Sequence, residues 1–217
     1  MENNNDSHQQ EEDLRPTLNP LISVWLHPKQ TARYMIDRKS IGFAILILSI
    51  SNIGVLLSNV METDLPVWLI TLLCVVLAPI SGLIGVSFSA CATWLFGKLF
   101  KGIATFSELF KALSITAIPY IVLIPLYLIW LYVAPESLLM TDYPGPTPWI
   151  FWPATLATII ISIWSFVIAV AAVAEAHQIS NWRAFFTVFI PSILFGIFVF
   201  ILVILFMIIT VIGIGMI

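Results

Sequence analysis

Five uninterrupted apolar runs leave this chain few folds to choose from. Residues 41–61, 67–97, 112–135, 149–174 and 184–215 contain no Asp, Glu, Lys, Arg or His. Each run supplies the roughly 20 residues that an α-helix needs to cross about 30 Å of hydrocarbon. The runs are continuous, whereas membrane β-strands alternate apolar and polar positions. A helix satisfies its own backbone hydrogen bonds inside a bilayer, so helices are the expected spanning elements. With 60% hydrophobic and 10% charged residues, the chain also has too little polar surface to coat a soluble globule. The expected fold is all-α and polytopic, a five-transmembrane-helix bundle. The second and fifth runs exceed what a bilayer requires, so tilt, a kink or an extension beyond the hydrocarbon must absorb the excess.

Orientation follows from the nine Lys and Arg residues. Arg15, Lys29, Arg33, Arg38 and Lys39 precede the first run, Lys98, Lys101 and Lys111 border the second connection, and Arg183 lies in the fourth. The other two connections, around Glu62 and Asp64 and over 136–148, carry acids and no Lys or Arg. The N-terminus is therefore expected in the cytoplasm and, with an odd number of helices, the C-terminus outside. Tryptophans give an independent check, because indole prefers the headgroup zone. Trp25, Trp94 and Trp182 fall at the expected inner boundary, and Trp68, Trp130, Trp149 and Trp152 at the outer one. Residues 1–18, opening MENNNDSHQQEED, read as a disordered polar cytoplasmic tail. They lack the basic start and short apolar core of a secretory signal. Residues 19–217 form the expected membrane domain.

The stretch KGIATFSELFKALSITAIPY joins a soluble-type helix start to an apolar span. Thr105, Phe106, Ser107 and Glu108 match the capping box, in which hydroxyl and carboxylate satisfy the first free amides. Phe106, Leu109, Phe110 and Leu113 then recur at helical spacing opposite Glu108 and Lys111, the pattern of a helix lying on the inner surface before turning inward. Gly97 and Gly102 are expected to end the second helix and loosen the turn. A second surface segment precedes the first run, with Trp25, Leu26 and Tyr34 dipping towards lipid while Lys29, Arg33, Arg38 and Lys39 face phosphates. Pro28 suits a first helical position.

Within the spans, Ser81, Gly85 and Ser89 recur every four residues beside Gly82, a small-residue stripe that allows close helix approach. Pro119 and Pro125 remove two backbone donors in the third run, so the kinked face is expected to point into the bundle. Trp164 in mid-helix and Pro191 in the fifth run complete the candidate helix-packing residues.

Catalytic and metal chemistry find little support. Cys74 and Cys91 are about 25 Å apart along one helix, too far for a disulfide. His8, His27 and His177 lack metal-ligand spacing. The spans hold no acid, histidine or nucleophile elbow for an intramembrane hydrolase. Glu175 and His177 read as a solvated helix terminus. No cofactor, metal or nucleic-acid partner is expected.

Three stretches, taken in order, resemble the bacterial form of the Yip1 family. These are WLHPKQTARYMID, ATFSELFKALSITAIPY and IWSFVIAVAAVAEAHQISNWRAFFTVFIP. The resemblance runs from Asn19 to Ile217 and implies a five-helix bundle with a cytosolic N-terminus. Eukaryotic members resemble one another in an Asp-Leu-Tyr-Gly-Pro sequence on the cytosolic side. Here the nearest string, from Asp142 to Pro146, lies in an outer connection, so binding of small GTPases is not carried over. Ala172 and Gln178 stand where bacterial relatives often have glycine, which implies a more helical end to the fourth helix. The resemblance further implies a non-catalytic scaffold or accessory subunit in the bacterial cell membrane, working among lipids and other integral membrane proteins such as ABC-type export subunits. A stand-alone transporter is the alternative, and self-association is left open. The candidate partner-binding residues are Trp25, Pro28, Arg33, Thr105, Phe106, Glu108, Lys111, Glu175, His177, Trp182 and Arg183.

Overall fold

The computed structural model describes residues 18–215, with side chains to Ile208. The tail read as disordered, apart from Leu18, and the chain end at Ile217 lie outside the described residues. Two short elements precede the first long helix: α1 (Pro20–Ser23) and α2 (Pro28–Arg38). Then come α3 (Ile41–Leu57), α4 (Val67–Leu99), α5 (Phe106–Ser114), a 3₁₀ segment (Ile115–Val122) and α6 (Leu123–Val133). The short α7 (Pro135–Leu139) leads to α8 (Phe151–His177) and α9 (Asn181–Gly215). No strand occurs among the described residues.

Four helical stretches are long and apolar enough to cross a membrane: α4, the continuous Phe106–Val133 segment, α8 and α9. The first apolar run appears as α3, a shorter apolar helix of 17 residues outside that set of four. Ser40 caps α3 by accepting from the Phe43 amide at 3.2 Å, and its last turn ends in Ser58 and Asn59, whose side chains bond back to the Val55 carbonyl. Such polar back-bonding competes with helix continuation, which explains an end short of residue 61.

Two hydrophobic clusters stack along the bundle. One holds Met35, Leu48, Leu109, Ile115, Ile168 and Val173. The other holds Leu57, Leu123, Tyr127, Trp130, Leu131 and Ile150. The 3₁₀ segment passes between them. There Gly54 of α3 lies against the backbone of Tyr120, and a Cβ at position 54 would overlap the Tyr120 carbonyl. Pro119 is buried in this layer, whereas Pro125 is on an exposed side of α6. The break at Pro119 is thus absorbed as tightened 3₁₀ turns, with the Leu123 amide bonding the Tyr120 carbonyl.

Three surface expectations are corrected. The amphipathic start at Phe106 does not lie out on the membrane surface. Its apolar face, Leu109, Phe110 and Leu113, is buried, and α5 packs against α2, α3, α4 and α8. Trp130 is not interfacial: it is 5% exposed, and its Nε1 donates to Ser137 Oγ at 2.9 Å. Trp68, Trp152 and Trp182 are exposed in the first turns of their helices, and Trp149 is exposed just before α8. Arg33, read as facing lipid phosphate, turns instead to Glu175.

Candidate functional site

The connections rich in Lys and Arg meet at one end of the bundle, and the acidic ones meet at the other, where Thr141 Oγ1 donates to Glu62 at 2.7 Å. The Lys/Arg-rich end is assembled by three fasteners. The first is an ion pair: Arg33 Nε on α2 donates to Glu175 Oε1 near the end of α8 at 2.9 Å, and Nη2 reaches the Glu175 carbonyl at 3.3 Å. Asp37, one turn on, is 4.0 Å from the same guanidinium. The second is Lys111 on α5, whose ammonium donates to the carbonyl of Ile36 and to that of Lys39 at 3.3 Å. Those are free carbonyls at the C-terminus of α2, where a cation is favoured by geometry and by the helix dipole.

The third is His177, and it overturns the reading of a solvated terminus. The residue is 1% exposed. Its Nδ1 accepts from the Ala104 amide at 3.3 Å, so Nε2 carries the proton and donates to the Thr93 carbonyl at 3.0 Å. The His177 carbonyl accepts from Ile103 at 3.3 Å. One side chain therefore ties α8 to the last turns of α4 and to the loop that starts α5. The imidazole occupies space left by Gly97 and Gly102, where a Cβ at either position would overlap the ring.

Gly97 and Gly102 therefore do not end α4 by flexibility; neither has positive φ. The left-handed residue is Lys101, with φ 63°. The Gly102 amide bonds the Gly97 carbonyl at 2.9 Å and the Lys101 amide bonds the Lys98 carbonyl at 3.1 Å, the paired bonds of a Schellman motif. The end of α8 repeats this. Gln178 has φ 54°, Ile179 bonds back to Ala174 at 3.1 Å, and Gln178 to Glu175 at 3.4 Å. The expectation of a more helical end at Gln178 gives way: glutamine adopts the left-handed conformation that glycine usually takes.

The remaining candidates divide by position. Thr105 and Glu108 form the reciprocal capping box, Thr105 N to Glu108 Oε2 at 2.7 Å and Glu108 N to Thr105 Oγ1 at 3.3 Å. Trp25 packs on the core and Pro28 opens α2. Phe106 and Trp182 are exposed, Trp182 stacking on Phe185 at 5.6 Å, and Arg183 is exposed on the first turn of α9. Of the small-residue stripe, Gly82 is buried against Asn52, whose Nδ2 would lie 2.6 Å from an added Cβ. Ser81 is half-buried and bonds the Ala78 carbonyl at 3.1 Å; Gly85 and Ser89 are exposed. Trp164 packs on the core with its indole N–H unpartnered, and Pro191 is half-buried in α9. Cys74 is buried and Cys91 exposed, and no group of three or more His, Cys, Asp or Glu that could hold a metal occurs among the described residues.

Sequence reasoning named His177 but missed its role, and missed Gly97, Gly102 and Thr93 as its housing. Their separation along the chain leaves no periodic signal. No curated protein and no solved structure matches the chain. A Yip1 domain model matches residues 22–215, nearly the whole length. With that match and several apolar helices able to span a bilayer, the chain is a multi-pass membrane protein that belongs to the Yip1 domain family.

Proposed function

We propose that this protein is a non-catalytic scaffold or accessory subunit of the bacterial cytoplasmic membrane. In this reading α3 is the first of five spans, the N-terminus is cytoplasmic and the C-terminus is outside. The supporting observation is the assembly of three separate segments into one braced face at the Lys/Arg-rich end. Arg33–Glu175, Lys111 and His177 fix that face, while Leu26, Leu99, Ile103, Phe106 and Trp182 remain exposed around it. Large apolar side chains held on a rigid polar platform suit a contact with another protein at the membrane surface. The partner class is an integral membrane protein, with subunits of an ABC-type exporter as the specific case.

Photo-crosslinkers at Ile103, Phe106 and Trp182 in native cells test the reading. A discrete membrane or ATPase partner is expected. Recovery of lipid alone, together with solute uptake by the purified protein in liposomes, would replace the scaffold with the transporter.

A further inference from the structure

A cavity of about 510 Å³ lies between α3, α4, the 3₁₀ segment, α8 and α9. One end of it reaches Thr93, whose carbonyl holds His177, and its size falls in the ordinary range of small-molecule sites, roughly 300–1,000 Å³. No lining residue is Asp, Glu, Lys, Arg or His. The wall still carries a buried polar atom without a partner. Ser165 is 8% exposed, lines the cavity, and its Oγ makes no hydrogen bond. Asn52 also lines the cavity, with Nδ2 committed to the Leu48 carbonyl at 3.1 Å. Gly82 gives it room to lie there. Tyr120, half-buried, lines the cavity as well. A hydroxyl left unpaired at such depth costs about 1–3 kcal/mol, so the site favours an occupant that hydrogen-bonds.

The mouth faces sideways. Gly85, Phe88 and Ser89 of α4 and Ser192 and Phe195 of α9 are exposed on its rim. Phe88 and Phe195 meet across it with ring centroids 5.1 Å apart. At Gly85 nothing lies within 4 Å of an added Cβ, so that face of α4 looks into open space. A charged headgroup would find no counter-ion inside, a heavy penalty in a low-dielectric site. Bulk solvent does not supply the occupant of an opening flanked by exposed apolar helix surface; the bilayer does.

We propose that the cavity binds one uncharged lipid bearing a hydroxyl headgroup, of the monoacylglycerol or diacylglycerol kind. Its hydroxyls bond Ser165, Asn52 and Tyr120, and its chain leaves beside the Phe88–Phe195 pair, past Gly85 and Ser89. This assignment does not depend on the docking surface proposed above.

The test uses the full chain reconstituted in phosphatidylcholine vesicles with a monoacylglycerol carrying a photoactivatable acyl chain. Labelled peptides are expected around 85–92 and 188–195, with labelling displaced by unlabelled monoacylglycerol. Gly85→Leu puts a branched side chain into the mouth, where an added Cβ meets nothing within 4 Å, and should cut this labelling at least tenfold at an unchanged or higher thermal midpoint. Ser89→Leu at the rim serves the same purpose should Gly85→Leu not assemble. Ser165→Ala should weaken displacement about fivefold, the loss of one hydrogen bond. Photoactivatable palmitate and phosphatidic acid should label these peptides at least tenfold less. Equal labelling by the charged probes, equal labelling of the filled variants, or diffuse labelling along α9 that monoacylglycerol does not displace would overturn the proposal, the last pointing to a cavity holding only water.

Discussion

His177 shows how much one side chain decides at this bundle end. Two glycines make room for it, and the usual sign of a glycine substitution is reversed there. In a helix, Gly97→Ala would ordinarily gain about 1 kcal/mol from propensity. Here the new methyl meets the imidazole, and overpacking costs about 1–3 kcal/mol. Gly97→Ala and Gly102→Ala should therefore lower the thermal midpoint in detergent. The two left-handed residues should behave oppositely. Lys101 and Gln178 hold φ values of 63° and 54°, a conformation costing an L-residue roughly 1–2 kcal/mol. Part of that cost is returned as glycine's own entropy loss. Lys101→Gly and Gln178→Gly should each raise stability by about 0.5–1 kcal/mol. The Arg33–Glu175 pair is different again. Both side chains are about a third exposed, so solvent screens the interaction, and a double-mutant cycle with Arg33→Met and Glu175→Gln should return a coupling of about 1 kcal/mol or less. Orientation of α2, rather than bulk stability, is what the pair contributes.

Among elements, the 3₁₀ segment is the unusual one. Eight residues of 3₁₀ helix are long for a geometry generally confined to three or four. Packing supports it on several sides: Ile115, Ala117, Ile118 and Pro119 are buried, and Gly54 admits its backbone to within contact of α3. The atom in the way of a Cβ at position 54 is a carbonyl oxygen in this constrained stretch, which moves less readily than a side-chain tip. Gly54→Ala should cost about 3 kcal/mol, the upper end of overpacking penalties, and increase protease sensitivity in membranes. Pro119→Ala restores an N–H and permits ordinary α-helical turns, so it should shift α6 relative to α3. An unchanged cleavage pattern for both variants would mean that the Gly54 contact is incidental.

At the scale of the molecule, α9 stands apart from an otherwise packed bundle. From Ser192 to Ile208 every side chain is exposed, and the helix packs on α8 and α4, with ring contacts at Phe185 and Phe195. Such an apolar surface is stable only against lipid or another protein. The segregation of connections makes a topological prediction. The segments carrying Lys and Arg are bonded to one another through His177, Arg33 and Lys111, and the acidic connections through Glu62 and Thr141. Reporter fusions near Lys101 and Gln178 should report the cytoplasm, and fusions near Asp142 and Ile217 the exterior. A cytoplasmic Ile217 would remove either α3 or another helix from the set of spans.

The apolar runs, the capping box and the one-sided Lys and Arg residues were legible because each is a local property of consecutive residues. Length against bilayer thickness, an i to i+3 spacing and a charge bias require no knowledge of neighbours. The same locality explains where legibility stopped. Whether the helix starting at Phe106 lay on lipid or on protein depended on which helices flank it, since both surroundings accept the same apolar stripe. Trp130 could sit in a headgroup zone or in a core with Ser137 as partner, and only packing distinguishes the two. Gly97 and Gly102 carried a turn signal whose physical cause was space for a ring from the other half of the chain. The sequence alone determined that this chain is a helical membrane protein and where its helices run. Tertiary structure decided that His177, Arg33 and Lys111 brace one end, and that Ser165 and Asn52 from separate helices line one cavity, because both are juxtapositions of residues with no relation along the chain.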